Sequence, residues 1–213
     1  MRQLKVLFLP HPNEELATPW GVDVVAAVSA QHELRIFDRK KAAAPQFEQI
    51  EVIVDLGGNI SPELLGAAAA AGVRYLQAQT TGLDHVNVEG ILQAGLLLAH
   101  CPGPLSSVAL AESAMMFMLM HAHSYGEAQQ NFARNKMYFP TGSELVGCTL
   151  GLVGFGSSAQ ELARRAKAFG LQIMAIDIRA IEEKILAEIA PDFVGGPDDL
   201  DRVVAASDYL SLH

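Results

Sequence analysis

Two cysteines, Cys101 and Cys148, are all that the 213 residues contain. That is too few for a disulfide framework. Positive charge is also scarce: 15 Lys and Arg stand against 24 Asp and Glu, a formal net charge of −9. The average field of such a chain repels polyanions, so no nucleic-acid or membrane partner is expected and small molecules are the expected ligands. Long apolar runs are missing too. The longest, around 96–99 and 114–120, are broken by His, Ser or Glu well short of the roughly 20 residues that a bilayer requires. The opening Met1-Arg2-Gln3-Leu4-Lys5 leads into a strand-like run instead of a signal peptide, and the expected compartment is the cytoplasm. Seven histidines do not make a ligand set. His121 and His123 are two apart on a helix and face different sides, and no Cys or carboxylate completes them, so no metal is expected. No order of Ser, His and Asp argues for hydrolase chemistry.

What the chain does have is apolar residues, 50% of the total, enough to bury a core in one or two domains. Short β-branched or apolar runs at 4–9, 32–37, 51–56, 75–79 and 96–100 read as strands. Helical stretches at 20–30, 63–71 and 88–93 separate them, the second opened by Ser61 as N-cap and Pro62. Strands alternating with helices imply α/β architecture with a parallel sheet covered on both faces, over residues 1–100. Residues 108–121 (VALAESAMMFMLMH) are apolar nearly all round, which predicts a helix buried between layers and bridging two domains. Its Met115, Met116, Met118 and Met120 read as core packing. Residues 124–144 are polar and aperiodic, an arm or linker. Alternation then resumes: strand 149–153, helix 158–169, strand 172–177, helix 180–189, strand 193–194, helix 198–205, strand 209–212. The second domain is thus expected over 101–213. Glu182-Glu183 and Asp198-Asp199 read as solvated helix starts.

One motif in that second half carries chemistry. Gly154-Phe155-Gly156-Ser157-Ser158-Ala159 lies directly after a strand and directly before a helix. A dinucleotide pyrophosphate has to meet the backbone closely, at the free N–H groups and positive dipole end of the helix, and side chains at Gly154 or Gly156 would obstruct it. Ser157 and Ser158 open the helix against the phosphates. Ala159 takes the third position of the G-x-G-x-x-G pattern, where the residue only has to let helix and strand pack closely. Asp177 ends the next strand about 20 residues on, where a carboxylate accepts from the adenosine ribose hydroxyls and favours NAD over NADP. Two alternatives stand beside this. The glycines can serve a tight turn without ligand, and Arg179 can grip a 2′-phosphate.

The segment Tyr75-Leu76-Gln77-Ala78-Gln79-Thr80-Thr81-Gly82-Leu83-Asp84-His85-Val86-Asn87 resembles a "G-x-D-x-V" stretch of the D-isomer-specific 2-hydroxyacid dehydrogenases. Residues 102–112 (PGPLSSVALAE) are similar to the stretch of that family that opens its long interdomain helix. Residues 144–151 (ELVGCTLG) are similar to its entry to the Rossmann strand, with Cys148 where Lys is usual, read as a packing change. Before residue 75 the resemblance is architectural only. It implies a flavodoxin-like substrate domain over 1–100, followed over 101–213 by an incomplete Rossmann NAD-binding domain with interdomain helix and dimerisation arm.

The resemblance further implies that backbone N–H groups around Thr80, Thr81 and Gly82 hold the substrate carboxylate. An ordinary turn with Asp84 bonded to its own backbone is the alternative there. Ser106 stands where many members have an Asn facing the substrate, or serves as N-cap of the long helix. His213 matches a residue near the cofactor. The implied reaction passes hydride from NADH to a 2-oxo acid while a His donates the proton, a Glu orients that His and an Arg binds the substrate. These three are expected beyond His213, so no catalytic residue is assigned and the chain is expected to be C-terminally incomplete, with the strand at 209–212 left as an apolar edge. The expected partners are a 2-hydroxy or 2-oxo acid and a second copy of the chain in a homodimer. Two rivals remain: a shortened, catalytically inactive paralogue that binds NAD or a partner, and an NAD-using enzyme of the adenosylhomocysteinase-like plan.

Overall fold

The run KVLFL forms β1 (Lys5–Leu9). Val6 and Phe8 point to one face of a sheet, Leu7 and Leu9 to the other, and all four are buried. The structure, a computed structural model, describes residues 2–213, and of 14–20 the backbone alone. The chain divides into two compact units, Met1–Pro102 and Gly103–His213.

In the first unit β1 is followed by α1 (Glu14–Ser29), β2 (Glu33–Ile36), β3 (Val52–Asp55), α2 (Pro62–Ala70), β4 (Tyr75–Ala78), α3 (Val88–Gln93) and β5 (Leu97–Ala99). All strand pairs are parallel, in the flavodoxin-like order β2-β1-β3-β4-β5. One face packs Leu7, Leu9, Ile53 and Leu76 with Leu64, Leu65 and Ala68 of α2 and Ile91 of α3. The other packs Val6, Phe8, Val54 and Leu56 with Val24, Val25 and Val28 of α1. Burial on both faces is why these strands read as continuous apolar runs. Ser61 Oγ accepts from the Leu64 N–H at 3.3 Å, the cap that the Ser61-Pro62 pair predicts. A 3-10 turn at Ala44–Phe47, which no periodicity signals, buries Phe47 completely with its ring 5.9 Å from that of Phe37.

At the C-terminal end of β3, Asp55 is buried, and its Oδ2 accepts from the Ile60 N–H at 2.9 Å. Burial raises its pKa from 3.8 to about 6, against the pull of the Ile60 and Asn59 N–H groups and the charges of Arg39 and His11. The folded state therefore holds this proton more tightly than the unfolded one. The resulting stability is fully present below about pH 4 and is lost as pH rises through about 6, a change of roughly 3 kcal/mol. Asp55→Asn is expected to abolish that part of the pH dependence. Urea unfolding of both proteins at steps from pH 4 to 7 checks it, and parallel stability curves would count against the assignment.

The second unit begins with α4 (Ser107–Ala122) and α5 (Tyr125–Ala133). It continues through β6 (Thr149–Val153), α6 (Ser157–Ala168), β7 (Gln172–Ile176), α7 (Glu183–Ile189), β8 (Phe193–Gly195), α8 (Leu200–Ala206) and β9 (Tyr209–Leu212). The strands are parallel in the order β8-β7-β6-β9, which matches the 3-2-1-4 portion of a doubly wound Rossmann sheet. Leu150, Leu152, Ile173 and Ala175 pack under Ala159, Leu162, Ala163 and Ala166 of α6, with α4 layered against α6. β9 lies at the sheet edge with Leu212 exposed.

Two expectations need correction. α4 is not buried all round: Ala111, Met115, Met118 and Ala122 form one buried stripe, while Leu110, Met116, Phe117 and Met120 are exposed. Only Met115 and Met118 of the methionine cluster are therefore core. The arm at 124–144 is not wholly irregular, because α5 occupies its first part. With no buried residue α5 shows no periodic apolar stripe to read. The arm is tied back by Ser143 N to Ala122 O at 2.8 Å and by Asn131 Nδ2 to Phe139 O at 3.2 Å. Among the described residues no helix is long and apolar enough to cross a membrane.

Candidate functional site

β6 ends at Val153, and two residues later the chain has reversed into α6. Gly154 makes this possible at φ +92°, a conformation that side-chain-bearing residues rarely adopt. A Cβ there would also stand 2.6 Å from the His213 carbonyl oxygen, so Gly154 is demanded by the fold itself. Gly156 differs. It sits at the N-cap of α6 with ordinary dihedrals (φ −75°, ψ −170°) and no side-chain cap, and the nearest atom to an added Cβ is the tip of Arg179, 3.7 Å away. Nothing in the protein needs a glycine there, whereas a ligand approaching the backbone does. Ser157 and Ser158 form the first turn of α6, and Ala159 is fully buried against the sheet, as close helix–strand packing requires.

Asp177 follows β7, and its side chain is only 5% exposed. Its Oδ2 accepts from the Phe155 N–H at 2.8 Å, which braces the glycine turn from the neighbouring strand. Oδ1 accepts from the Arg179 backbone N–H at 2.9 Å and from Nε at 3.2 Å, and Nη2 reaches Oδ2 at 3.3 Å. Burial by itself would raise this carboxyl, but the Arg179 side chain and backbone, the Phe155 N–H and the Arg179 charge outweigh it and hold the pKa at about 2. Asp177 is thus ionised at neutral pH. Arg179, 69% exposed, folds back along it. At the end of β9, the His213 N–H bonds to Val153 O at 2.9 Å, and its Nδ1 shares a hydrogen bond of 2.9 Å with Ser158 Oγ. Desolvation lowers the His213 pKa.

The structure thus gathers Gly154, Gly156, Ser157, Ser158, Asp177 and His213 at the C-terminal ends of β6, β7 and β9, where doubly wound sheets bind ligands. The chemistry fits a dinucleotide. A twelve-residue helix offers its N-terminus, one glycine leaves room beside it, and an ionised carboxylate stands on the next strand. Sequence reasoning missed the Ser158–His213 and Phe155–Asp177 bonds, which join residues 55 and 22 positions apart.

Residues 114–213 match the family described as D-isomer specific 2-hydroxyacid dehydrogenase, NAD binding domain. Across 147 residues the chain is 34% identical to the hydroxypyruvate reductase of Thermotoga maritima, covering 68% of this chain and 45% of that protein. The second unit belongs to the D-isomer-specific 2-hydroxyacid dehydrogenase family. NAD is the cofactor of the matched domain. A second relative, D-3-phosphoglycerate dehydrogenase 2, chloroplastic, of Arabidopsis thaliana, is 28% identical over 188 residues, 87% of this chain and 28% of that one. The chain spans less than half the length of both relatives. The fold is shared with a glyoxylate reductase from Paecilomyes thermophila (TM-score 0.75, 21% identity, 100% of this chain and 65% of that one). It is shared also with a D-lactate dehydrogenase from Aquifex aeolicus complexed with NAD and lactic acid (TM-score 0.73, 22% identity, 98% and 60%).

Of the substrate-side candidates that the family resemblance names, Thr80, Thr81 and Gly82 lie in the first unit, in the turn after β4. Their carbonyls are all engaged: Thr80 O by Cys101 N at 3.0 Å, Thr81 O by His100 Nδ1 at 3.0 Å, Gly82 O by Thr80 Oγ1 at 2.9 Å. With its oxygens tied to the protein, this turn suits an anion better than one whose carbonyls face outward. Ser106 belongs to the second unit, at the N-cap position of α4, but makes no side-chain cap bond. Ser107 Oγ donates to Pro104 O at 3.2 Å.

Proposed function

We propose that this chain holds the cofactor and the substrate of an NAD-dependent oxidoreductase that interconverts a 2-hydroxy acid and a 2-oxo acid. The observation that carries the reading is the β6–Gly154–Phe155–Gly156–α6 turn braced by ionised Asp177. Hydroxypyruvate, 3-phosphoglycerate, glyoxylate and lactate, the compounds in the relatives' names, are all 2-oxo or 2-hydroxy acids. Bound NAD exchanges a hydride with the substrate. In this reading Gly154, Gly156, Ser157 and Ser158 receive the pyrophosphate, Asp177 takes the adenosine ribose hydroxyls and His213 borders the cofactor. The unit Met1–Pro102 binds the substrate, with the backbone of Thr80, Thr81 and Gly82 on its carboxylate, and Ser106 of the second unit is a further substrate-side candidate. No described residue is assigned the proton transfer. The test is NADH consumption by the purified natural protein against a panel of 2-oxo acids. Turnover of at least one acid is expected; NADH binding without consumption on any of them would overturn the reading.

We further infer a homodimer, in the cytoplasm. Exposed Phe132 on α5 and Met137, Tyr138 and Phe139 beyond it form an apolar arm that resembles the family's dimer-forming region, and the low cysteine count suits a reducing compartment. Phe132→Glu is expected to weaken dimerisation about 30-fold or more, read by light scattering across a dilution series. A wild-type chain that is monomeric at all concentrations would contradict this.

A further inference from the structure

The first unit contains a cavity of about 340 Å³ lined by His11, Leu56, Gly57, Asn59, Gln79, Thr80 and His85. Most of its surface is carbon, and the hydrogen bonds around it leave its few polar groups disposed as donors. His11 Nδ1 accepts from the Asn13 N–H at 3.1 Å, so in the neutral ring Nε2 carries the proton. The Cδ2–Nε2 edge of that ring lies against Gly57, where an added Cβ would meet Cδ2 at 2.8 Å and the Asn59 amide nitrogen at 2.9 Å. Gly57 thereby lets both side chains close on the same loop. Gln79 Oε1 accepts from the Cys101 thiol at 3.0 Å, so the acceptor end of this amide is engaged. His85 Nε2 donates to the Gly57 carbonyl at 2.8 Å, removing that oxygen as an outward acceptor. Arg39, bonded to Pro10 O at 3.0 Å, adds a positive charge beside His11. The nearby acid, Asp55, is buried with its carboxylate on the Ile60 N–H and does not line the cavity.

A recess whose few polar groups donate, beside a positive charge, favours an acceptor-rich, negatively charged group. We infer that this cavity receives a second anionic group at the end of the substrate remote from its reacting carbon, with His11, Asn59 and Gln79 as the specificity-determining residues. Thr80 connects the recess to the turn that holds the first carboxylate, so the inference rests on the reading of Thr80–Gly82 as the substrate turn. The preferred 2-oxo acid then carries an acidic end in place of an alkyl one.

Calorimetric titration of the natural protein, with oxidised NAD present so that no 2-oxo acid is reduced, tests this using 2-oxobutyrate, 2-oxoglutarate, the phosphonate analogue of 2-oxoglutarate, and glutarate. 2-Oxoglutarate or its phosphonate is expected to bind at least about tenfold tighter than 2-oxobutyrate, the better of the two identifying the anion as carboxylate or phosphate-like. His11→Leu and the exposed Asn59→Ala are each expected to shrink that ratio to within about twofold while leaving 2-oxobutyrate unchanged. Equal affinities for the alkyl and acidic 2-oxo acids, or a preference that survives both substitutions, would overturn the inference and leave the substrate turn standing. Glutarate, which keeps both carboxylates, is expected to lose affinity in both variants as 2-oxoglutarate does, and glutarate binding that neither substitution changes would overturn the inference. Binding of none of the four would overturn both.

Discussion

Gly156→Val is expected to weaken NADH binding at least about 100-fold while changing stability by less than about 1 kcal/mol. The two effects separate because Gly156 has dihedrals that valine tolerates and no protein atom closer to the new Cβ than the Arg179 tip at 3.7 Å. The added methyl groups occupy only the space that a pyrophosphate would enter at the N-terminus of α6. Gly154→Ala is the contrast. At φ +92° and 2.6 Å from the His213 carbonyl, the new Cβ strains the turn and is expected to cost about 2 kcal/mol or more. NADH fluorescence titration paired with urea unfolding reads both. A Gly156→Val protein that binds NADH like the wild type would remove the turn from the cofactor site.

Asp177 governs which cofactor is taken. Its oxygens already accept from the Phe155 N–H and three Arg179 donors, so a ribose hydroxyl has to displace the exposed Arg179 side chain. Asp177→Ala is expected to weaken NADH binding roughly 10- to 100-fold, the range for a lost hydrogen bond to a charged group, and to release Arg179 toward a 2′-phosphate. The NADPH-to-NADH affinity ratio should therefore rise at least about tenfold. Arg179→Ala should act in the opposite sense, tightening NADH a few-fold by freeing the carboxylate. Parallel titrations of the two variants with both cofactors decide it, and an unchanged ratio in Asp177→Ala would place the ribose elsewhere.

The elements buried on two faces were legible in the sequence, because their burial imposes the pattern that is read. β1, β3, β6 and β7 stand where the apolar runs predict them, and the strand–Gly154–Gly156–helix context led to the NAD-binding domain. What escaped depends on distant neighbours. The stripe of α4 that faces α6 cannot be told from its exposed Phe117 side in a helix apolar all round, and α5 has no buried stripe at all. Phe47 is recognisable as core only once Phe37 is seen beside it. The same holds at the sites. Arg179 was visible two residues from Asp177, but not that it clamps the carboxylate, and no spacing links His11 to Asn59, Gln79 and His85 around one cavity.

The central claim is that the second unit holds NAD, and the most direct measurement is equilibrium titration of this chain with NADH and NADPH, followed by cofactor fluorescence. Saturable one-site binding of NADH, at least about tenfold tighter than NADPH, is the predicted result. No saturable NADH binding, or NADPH bound as tightly, would contradict the account.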